Sequence, residues 1–315
     1  MLLKKLCDAT EFAELPVRHN EDKMNMELAR SVPMGIDQRM ADSPHVKAFL
    51  LFQAHMERAK LPIVDYHTDM RSAIDNSIRT LQALVDITAN NGHLFAVLRA
   101  MNLMQCMVQA RWWHSPTLLQ LPHLGEEHLP ALKAAGITHV SHLVHASLDT
   151  LERFRGALRL GGRGSATALT EEHVAELVDA AKRLPLIDVH AEVSRKAANA
   201  EEEAQEEEVE DETYEVKVDL TRLSQMSKFV VAPKFAKQKD EQYWLVLGHE
   251  PTGELVALKR INRLFRRASA TLVFDWDAEL WARSDRISLY VICDSYIGLD
   301  QHYHLKMPFQ QGNQQ

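Results

Sequence analysis

The hydrophobic pattern of the chain changes character across an acidic run near its middle. Nine of the twelve residues from Glu201 to Glu212 are acidic and none is basic, so charge repulsion and a lack of apolar side chains disfavour a packed structure there. Before this run apolar residues recur with the 3.6-residue period of helices, and after it they alternate with the period of strands. The sequence therefore predicts a multidomain α+β protein in which all-α domains precede an all-β domain.

Residues 1–117 predict a helical bundle. Ser43, followed by a proline, is typical of a helix start, and Asp69 is a candidate cap for a longer helix that ends at Asn91–Gly92. The longer helix carries one apolar stripe, made of Ile74, Ile78, Leu81, Leu84, Val85 and Thr88. A third amphipathic helix is expected over about 93–113. Three helices with one apolar face each need partners, which a bundle supplies.

Two short helices around a glycine turn are expected in residues 118–185. The first follows Leu124 and the second spans roughly Val140 to Phe154, with Ala135–Gly136 in the turn between them. This arrangement outlines a helix–hairpin–helix domain. Residues 186–212 are then expected to form an acidic disordered linker.

Residues 213–310 predict an immunoglobulin-like β-sandwich, because seven short strand-like runs follow one another in about 95 residues. The turn His249–Gly253 is expected to join two of them as a hairpin. The expected strands are Tyr214–Leu220, Phe229–Ala232, Tyr243–Gly248, Leu255–Ile261, Ala270–Trp276, Ile287–Cys293 and His302–Met307.

The distribution of charge decides whether nucleic acid is excluded as a partner. The formal net charge is −8, from 36 Lys and Arg against 44 Asp and Glu. The acidic run alone contributes −9, so residues 1–117, 118–200 and 213–315 carry net charges of 0, −1 and +2. The folded segments are nearly neutral, which leaves a nucleic-acid partner open but predicts that no segment binds one strongly by charge alone.

The cysteine content and the hydropathy of the sequence indicate in which cellular compartment the protein works. Cys7, Cys106 and Cys293 are too few and too far apart for a disulfide framework or a local metal knuckle, which favours the nucleus or the cytoplasm. No stretch approaches 18 consecutive apolar residues, so we expect no transmembrane helix and no membrane partner.

Motifs for catalysis and metal binding are missing or weak. None of the twelve glycines lies in the phosphate-binding pattern Gly-x-x-x-x-Gly-Lys-Ser/Thr, so ATP hydrolysis by this chain alone is not expected. His139, His142 and His145 recur every three residues, but the outer two diverge on a helix, which favours a solvated surface over a metal site. We therefore predict no catalytic residue, no metal site and no cofactor in this chain.

Three groups of cationic and amide side chains are candidate nucleic-acid contacts. The polar stripe of the long helix consists of Arg71, Asn76, Arg79 and Gln82. A second group beside a glycine-rich loop consists of Arg153, Arg155, Arg159 and Arg163. A basic loop between two strands contains Lys259, Arg260, Arg263, Arg266 and Arg267. A solvated loop or helix face explains each group about as well, and Trp112 and Trp113 suit either base stacking or a domain interface.

Short segments throughout the chain resemble one known family. In the helical part they are ELPVRHNED at 14–22, SPHVKA at 43–48, LFQAH at 51–55 and QALVD at 82–86. In the strand part they are PKF at 233–235, KDE at 239–241, LVALKR at 255–260 and DSYIGLDQ at 294–301. This set resembles the Sec sixty-three homology unit of large superfamily-two helicases with tandem cassettes, and it covers nearly the whole chain.

The resemblance implies three folded parts: a helical bundle, a helix–hairpin–helix domain and an immunoglobulin-like domain. In that family the bundle closes the nucleic-acid channel of the helicase core, and one of its helices, the ratchet helix, contacts the single strand. The matching helix here is Asp69–Asn90, which makes Arg71, Asn76, Arg79 and Gln82 the candidate contacts. The sandwich is expected to dock to the helicase or to partner proteins.

The resemblance also implies the partners of the chain. The RecA-like domains are missing from it, so the ATP and magnesium of a full-length helicase are not expected to bind here. The implied partners are single-stranded RNA or DNA, RecA-like domains in cis or in trans, and other subunits of a helicase complex. The alternative is a protein–protein interaction scaffold of such a complex without direct nucleic-acid contact.

Overall fold

The computed structural model describes residues 2–161, 168–196, 213–275 and 286–307. Within these ranges helices occupy the first part of the chain and two antiparallel sheets the second, which confirms the mixed α+β class. Arg163, Trp276 and residues 197–212 of the expected linker lie outside the described residues. The three cysteines are buried and unpaired.

The first five α-helices of the described residues bury one continuous apolar cluster. They are α1 (Leu2–Cys7), α2 (Glu21–Leu28), α3 (Pro44–Glu57), α4 (Val64–Asn90) and α5 (Leu94–Gln109). Helix α3 begins at the proline after Ser43, as the sequence predicts. Gly92, with φ of 70°, makes the turn between α4 and α5. None of the helices in the described ranges is both long and apolar enough to cross a bilayer.

Helix α4 begins earlier than the sequence predicts. Its first residue is Val64 rather than Asp69, and Ile63 before it is extended. The expectation that Asp69 caps the helix is wrong, because the Asp69 carboxylate is buried in an ion pair with Lys47. The polar residue that suggested a helix start therefore has a long-range partner instead.

Helix α5 ends at Gln109, before the expected end at Trp113. Ala110 takes a left-handed conformation with φ of 50°, and its N–H donates to the carbonyl of Cys106. This cap stops the helix, so the two tryptophans lie on the segment that follows it.

Four further α-helices of the described residues lie between the bundle and the strands. They are α6 (Leu129–Ala134), α7 (Ser141–Val144), α8 (Leu148–Leu160) and α9 (Glu171–Arg183). The single helix expected over Val140–Phe154 is in fact two. The Ser147 hydroxyl accepts a hydrogen bond of 3.2 Å from the N–H of Thr150 and thereby starts α8. Thr170 caps α9 in the same way, because its side chain accepts a hydrogen bond from the N–H of His173.

Seven strands in the described residues form two antiparallel sheets. They are β1 (Ile187–Arg195), β2 (Thr213–Arg222), β3 (Tyr243–His249), β4 (Glu254–Ile261), β5 (Arg267–Asp275), β6 (Arg286–Cys293) and β7 (Gln301–Lys306). One sheet has the order β1-β2-β5 and the other the order β4-β3-β6-β7. Apolar residues from both sheets and from α6 to α9 share one buried cluster. The second helical part and the sheets therefore have a common core.

The expected linker does not begin at residue 186. Residues 187–195 form β1, which pairs with β2 along its whole length. Ile187, Val189, Ala191 and Val193 alternate with exposed residues, so this strand has the period-two pattern of a half-buried strand.

The prediction of a strand at Phe229–Ala232 is wrong, because these residues lie in a loop between β2 and β3. The N–H of Val230 donates to the carbonyl of Lys239, and the N–H of Val231 donates to the hydroxyl of Tyr296. These backbone groups are satisfied inside a loop, so a short apolar run here does not join a sheet.

The bundle and the β4-β3-β6-β7 sheet contact each other directly. The N–H of Leu94 donates to the carbonyl of Gly253 (3.0 Å), and the N–H of Leu255 donates to the carbonyl of Gly92 (2.8 Å). The side chain of Trp244 packs into the apolar cluster of the bundle. The turn that ends α4 is therefore tied to the β3–β4 hairpin.

Two buried glutamines of α5 add hydrogen bonds to the same interface. Gln105 Nε2 donates to the carbonyl of Cys293 (2.8 Å). Gln109 Nε2 donates to the carbonyls of Ser295 (2.6 Å) and Val231 (3.2 Å). Polar side chains thus fix how the sheet lies against the bundle.

Candidate nucleic-acid interface

The outward face of α4 carries the polar residues that the sequence singles out. The buried face consists of Tyr66, Asp69, Ala73, Ile74, Ser77, Leu81 and Val85. Arg71 and Arg79 are exposed on the other side, and Asn76 and Gln82 are half-buried beside them. With 27 residues, α4 is about 40 Å long. A helix of this length can follow an extended strand over several nucleotides.

Asn76 and Arg79 contact each other on this face. Arg79 Nη2 donates to Asn76 Oδ1 over 2.6 Å, a contact between residues three apart on one helix. The hydrogen bond restrains the guanidinium, which has five N–H donors in all. Arg79 is therefore a partly ordered cation on an exposed surface.

A groove runs between α4 and the loop at 233–239 that precedes β3. Its α4 wall is lined by Ser72, Asp75, Asn76, Ile78 and Arg79, and its loop wall by Phe235, Lys237, Gln238 and Lys239. Lys237 Nζ lies 2.5 Å from Asp75 Oδ2, so an ion pair bridges the two walls. The structure thus brings Asn76 and Arg79 to the groove, whereas Arg71 and Gln82 lie on the same helix outside its lining.

Sequence reasoning missed the loop wall of the groove. Lys239 is only 12% exposed and pairs with Asp294, so its role is structural. The side chain of Lys237 is 63% exposed, and Phe235 is half-buried beside it. A loop has no periodic pattern, and the one available signal is the PKF segment at 233–235 that resembles the helicase family.

Buried charges anchor the N-terminal part of α4. Lys47 Nζ lies 2.6 Å from Glu21 Oε2 and 2.7 Å from Asp69 Oδ2, and none of these side chains is more than 4% exposed. Arg18 Nη1 adds contacts of 2.6 Å to Asp69 and 2.9 Å to Glu21. Burial alone would raise the pKa of the Asp69 carboxyl, but hydrogen bonds from Arg18 and Lys47 outweigh it and lower that pKa. The helix that carries the candidate contacts is therefore held by ionised side chains.

The second candidate group is engaged in ion pairs. The pairs are Arg153–Asp149 (3.1 Å), Arg155–Glu152 (2.7 Å) and Arg159–Glu171 (2.7 Å). No acid lies between Phe154 and Thr170, yet acids just outside this stretch reach all three guanidiniums. Exposed pairs of this kind are weak, so a phosphate can compete with the carboxylates. Arg163 lies outside the described residues.

The five cations expected in a basic loop are spread over two strands and the loop between them. Lys259 and Arg260 lie in β4 and Arg267 begins β5, while Arg263 and Arg266 lie in the loop itself. The group divides into packed and exposed cations. Arg260 is half-buried, with its guanidinium 5.3 Å from the ring centre of Trp244. Arg263 Nη2 lies 3.3 Å from Asp240 Oδ2. The remaining members, Lys259, Arg266 and Arg267, are exposed. Arg260 therefore packs against Trp244, and the exposed members of the group remain candidate phosphate contacts.

The histidines and tryptophans singled out by the sequence lie apart from the groove lining. The rings of His139 and His142 meet edge to face at 5.6 Å, and no three-ligand group in the described residues includes them or His145. Trp112 is 9% exposed and packs in the bundle core. Trp113 is 66% exposed, so of these two tryptophans it is the one that is accessible to a partner.

The helicase resemblance implies a helical bundle, with strand contacts on one helix, followed by a domain of strands. The structure has a helical bundle with polar side chains on the outward face of α4, and two antiparallel sheets later in the chain. The Sec63 Brl domain family matches residues 1–306. The chain therefore belongs to this family, and the resemblance drawn from the sequence is confirmed.

Relatives with assigned names match almost the whole chain. The chain is 35% identical to activating signal cointegrator 1 complex subunit 3 of Homo sapiens, over 96% of the chain and 15% of that protein. It is 33% identical to the DExH-box ATP-dependent RNA helicase DExH14 of Arabidopsis thaliana, over 98% of the chain and 13% of that protein. It is 29% identical to the U5 small nuclear ribonucleoprotein 200 kDa helicase of Homo sapiens, over 96% and 13%. The chain thus spans less than a sixth of the length of these relatives.

The segment Leu61–Asp69 favours the signal cointegrator subunit over the U5 helicase as the more similar relative. The identities of 35% and 29% agree with that prediction. The same segment also predicts that this chain corresponds to the C-terminal of the two cassettes in the signal cointegrator subunit, and this stays a prediction.

Proposed function

We propose that the chain is a non-catalytic accessory module of an RNA or DNA helicase. The module closes the nucleic-acid channel, and α4 acts as the ratchet-type helix that contacts the single strand. The observation that carries the proposal is the polar face of α4, where Arg71 and Arg79 are exposed and Asn76 and Arg79 line a groove. Membership of a family with helicases among its named relatives supports it.

The chemistry of the groove suits a strand that is held without regard to its sequence. Arg79 and Lys237 supply positive charge for phosphates, and Asn76 supplies an amide. Phe235 on the loop wall supplies an aromatic ring on which a base can stack. The bundle has no net charge, so binding is weak and reversible, as movement along a strand requires. RecA-like domains, in cis or in trans, would bind ATP and magnesium and drive that movement.

We also propose a finer assignment of the other two parts. The segment with α6, α7 and α8 is a helix–hairpin–helix domain, supported by the turn at Gly136 with its φ of 78°. The strands form an immunoglobulin-like sandwich, although the fourth strand pairs with the third and not with the fifth, unlike the constant-type order. The sandwich docks to the helicase core or to other subunits, in the nucleus, the cytoplasm or both.

Salt-dependent binding of single strands tests the role of α4. The full chain is titrated into fluorescein-labelled oligo(rU) and oligo(dT), and anisotropy is measured at a series of salt concentrations. The double variant Arg71→Ala/Arg79→Ala should weaken binding. It should also reduce the slope of log K against log salt by about 1.4, since each phosphate contact on a single strand contributes about 0.7. The two probes show whether RNA or DNA is preferred.

A charge-matched control separates a contact from a general effect of charge. The double variant Arg39→Ala/Lys60→Ala removes two exposed cations that lie off α4, and it should change neither the affinity nor the slope. Equal weakening by both double variants would contradict a role for α4. Absence of binding at low salt, both alone and with RecA-like domains added, would overturn the strand contact itself.

The alternative function is a protein–protein interaction scaffold of a helicase complex, of the signal cointegrator or the spliceosomal type, without direct nucleic-acid contact. The observation that favours it is an apolar groove beside α5, lined in part by Leu2, Leu3, Met34, Leu103 and the exposed Trp113. A scaffold predicts that the Arg71/Arg79 variant binds strands like the wild type. It also predicts that Trp113→Glu abolishes co-purification with the helicase core while circular dichroism stays unchanged.

A further inference from the structure

Three metal-ligating side chains lie together on one face of the β4-β3-β6-β7 sheet. Glu250 directly follows β3, and His302 and His304 occupy alternate positions of β7. One ligand atom from each of the three lies within 4.8 Å of the other two, and they form the three-ligand group found within the described residues. These histidines differ from those at 139, 142 and 145 that the sequence singles out.

The strand between them brings these ligands together. Strand β6 pairs with β3 on one side and with β7 on the other. In this register Ser288 lies opposite His304, and Tyr290 lies opposite His302. The spacing of a sheet therefore sets the distance between Glu250 and the two imidazoles, so the cluster is determined by the fold and not by side-chain flexibility alone.

Neighbouring side chains orient the carboxylate. Glu250 Oε1 accepts hydrogen bonds from the Tyr290 hydroxyl (2.6 Å) and from Ser288 Oγ (2.7 Å). These two hydroxyls hold the glutamate in place, as the outer partners of metal ligands do in established sites.

The imidazole of His302 is also oriented. It stacks on the Tyr290 ring with centroids 4.3 Å apart and planes 2° from parallel. Its Nε2 lies 2.8 Å from Glu250 Oε1, and His304 Nδ1 lies 3.2 Å from Ser288 Oγ. Both histidines are accessible to an ion from solvent.

We propose that Glu250, His302 and His304 form a binding site for Zn²⁺. Two imidazole nitrogens and one carboxylate oxygen are a donor set that zinc uses, whereas magnesium and calcium prefer oxygen ligands throughout. Zinc bonds of about 2.0–2.2 Å place donor atoms roughly 3.3 Å apart in a tetrahedron, so small rotations of the exposed histidines close the site. Water fills the fourth position.

The bound ion would link the β3–β4 turn to β7 across β6. Glu250 belongs to the same turn as Gly253, whose carbonyl accepts the N–H of Leu94 at the start of α5. A clip at this point stabilises the sheet and the turn that contacts the bundle. The proposal does not depend on the strand-binding role of α4.

Isothermal titration of the chelator-treated full chain with ZnCl₂ tests the site. The wild type should show one site that is lost in His304→Ala and in His302→Ala, and MgCl₂ should give no such site. Tyr290→Phe keeps the ring stack and removes the hydroxyl bond to Glu250, so it should weaken Zn²⁺ binding by about tenfold. The melting temperature of the wild type should rise with Zn²⁺, and that rise should disappear in the His304 variant.

His190→Ala is the matched control, because an exposed histidine outside the proposed site can also bind zinc weakly. His190 Nε2 lies 3.1 Å from Glu192 Oε1 on the exposed face of β1. This histidine–glutamate pair belongs to no three-ligand group among the described residues. This variant should keep the wild-type site, and circular dichroism should show all variants folded. If Zn²⁺ binds equally to the wild type and to His304→Ala, or if His190→Ala causes the same loss, the proposed site is overturned.

Discussion

Lys47 Nζ lies 2.7 Å from Asp69 Oδ2, and both side chains are buried inside the bundle. The same ammonium contacts Glu21 Oε2 (2.6 Å) and the carbonyl of Pro16 (2.7 Å). A lysine has three N–H donors, so all three find an acceptor here. Because Glu21 begins α2, Lys47 lies in α3 and Asp69 in α4, this one charge joins three helices.

Lys47→Met should destabilise the protein strongly. The substitution keeps the apolar stem but leaves Glu21 and Asp69 buried with Arg18 as their remaining cation. Removing one partner of a buried ion pair costs about 3–5 kcal/mol, and we expect the lower end because Arg18 stays in place. Urea unfolding followed by circular dichroism measures the free energy of unfolding.

Arg39→Met is the control for that prediction. Arg39 is 93% exposed and approaches Asp37 only to 4.0 Å, so its substitution should change the free energy of unfolding by less than about 0.5 kcal/mol. A loss below about 1 kcal/mol for Lys47→Met would show that the buried charges are already satisfied without the lysine.

The face of α4 could be predicted from the sequence, but its beginning could not. The apolar stripe through Ile74, Leu81 and Val85 is buried as expected, because the 3.6-residue period is a local property. Asp69 resembles a helix cap in the sequence, yet its partners lie 22 and 51 residues earlier, at Lys47 and Arg18. No local pattern reveals such partners.

The strands show the same limit in another form. Residues 187–195 alternate like a strand, but they stand directly before a segment rich in alanine and glutamate, so the sequence predicts a linker there. They form a strand because their backbone pairs with β2, which comes later in the chain. The groove wall at Phe235–Lys239 could not be predicted, because its place beside α4 depends on how the bundle and the sheet pack.

Gln109→Ala should weaken the contact between the bundle and the sheet. Gln109 is 1% exposed, and its amide Nε2 donates hydrogen bonds to the carbonyls of Val231 and Ser295. Leaving buried carbonyls without a donor costs about 2 kcal/mol. Urea unfolding measures this loss, and hydrogen exchange should become faster around both carbonyls. Gln225→Ala, at an exposed position, should leave both measurements unchanged. Unaltered exchange in Gln109→Ala would mean that other contacts hold the sheet in place.

Gly248→Ala should cause a steric clash between the sheet and α5. A Cβ at Gly248 would lie 2.6 Å from Leu94 Cδ1 and 3.1 Å from the carbonyl oxygen of Glu254. Leu94 is fully buried, so the side chain has little room to move. Overpacking of this kind costs about 1–3 kcal/mol. Thermal and urea unfolding would measure the loss.

A second substitution and a control make the cause of that loss specific. In a Leu94→Ala background, Gly248→Ala should cost much less, and a double-mutant cycle measures the difference. Gly156→Ala should instead stabilise the protein by about 0.5–1 kcal/mol, because Gly156 lies inside α8 with no atom within 4 Å of the new Cβ. Independent effects of the two substitutions at 94 and 248 would rule out the clash as the cause.

His55 predicts how stability depends on pH. The side chain is 5% exposed, and its Nε2 lies 2.8 Å from the carbonyl of Met107, so Nε2 is the protonated nitrogen of the neutral ring. Burial lowers the pKa of this imidazole from 6.5 to about 4 in the folded protein. As the pH falls below 6.5, His55 becomes protonated in the unfolded chain. In the folded protein it stays neutral until the pH reaches about 4. Stability contributed by neutral His55 is therefore present above pH 6.5 and lost between pH 6.5 and 4.

His55→Gln removes this titration and keeps a donor for the carbonyl of Met107. The difference in unfolding free energy between variant and wild type should shift in favour of the variant by roughly 3 kcal/mol from pH 7 to pH 4. Carboxylates such as Asp69 also lose stabilising charge in acid, but they do so in both proteins and cancel in the difference. His67→Gln, at an exposed position of α4, should run parallel to the wild type across the range. The free energy of unfolding of His55→Gln could instead run parallel to that of the wild type from pH 7 to pH 4. That outcome would contradict the prediction, because it would mean that folding does not lower the pKa of His55.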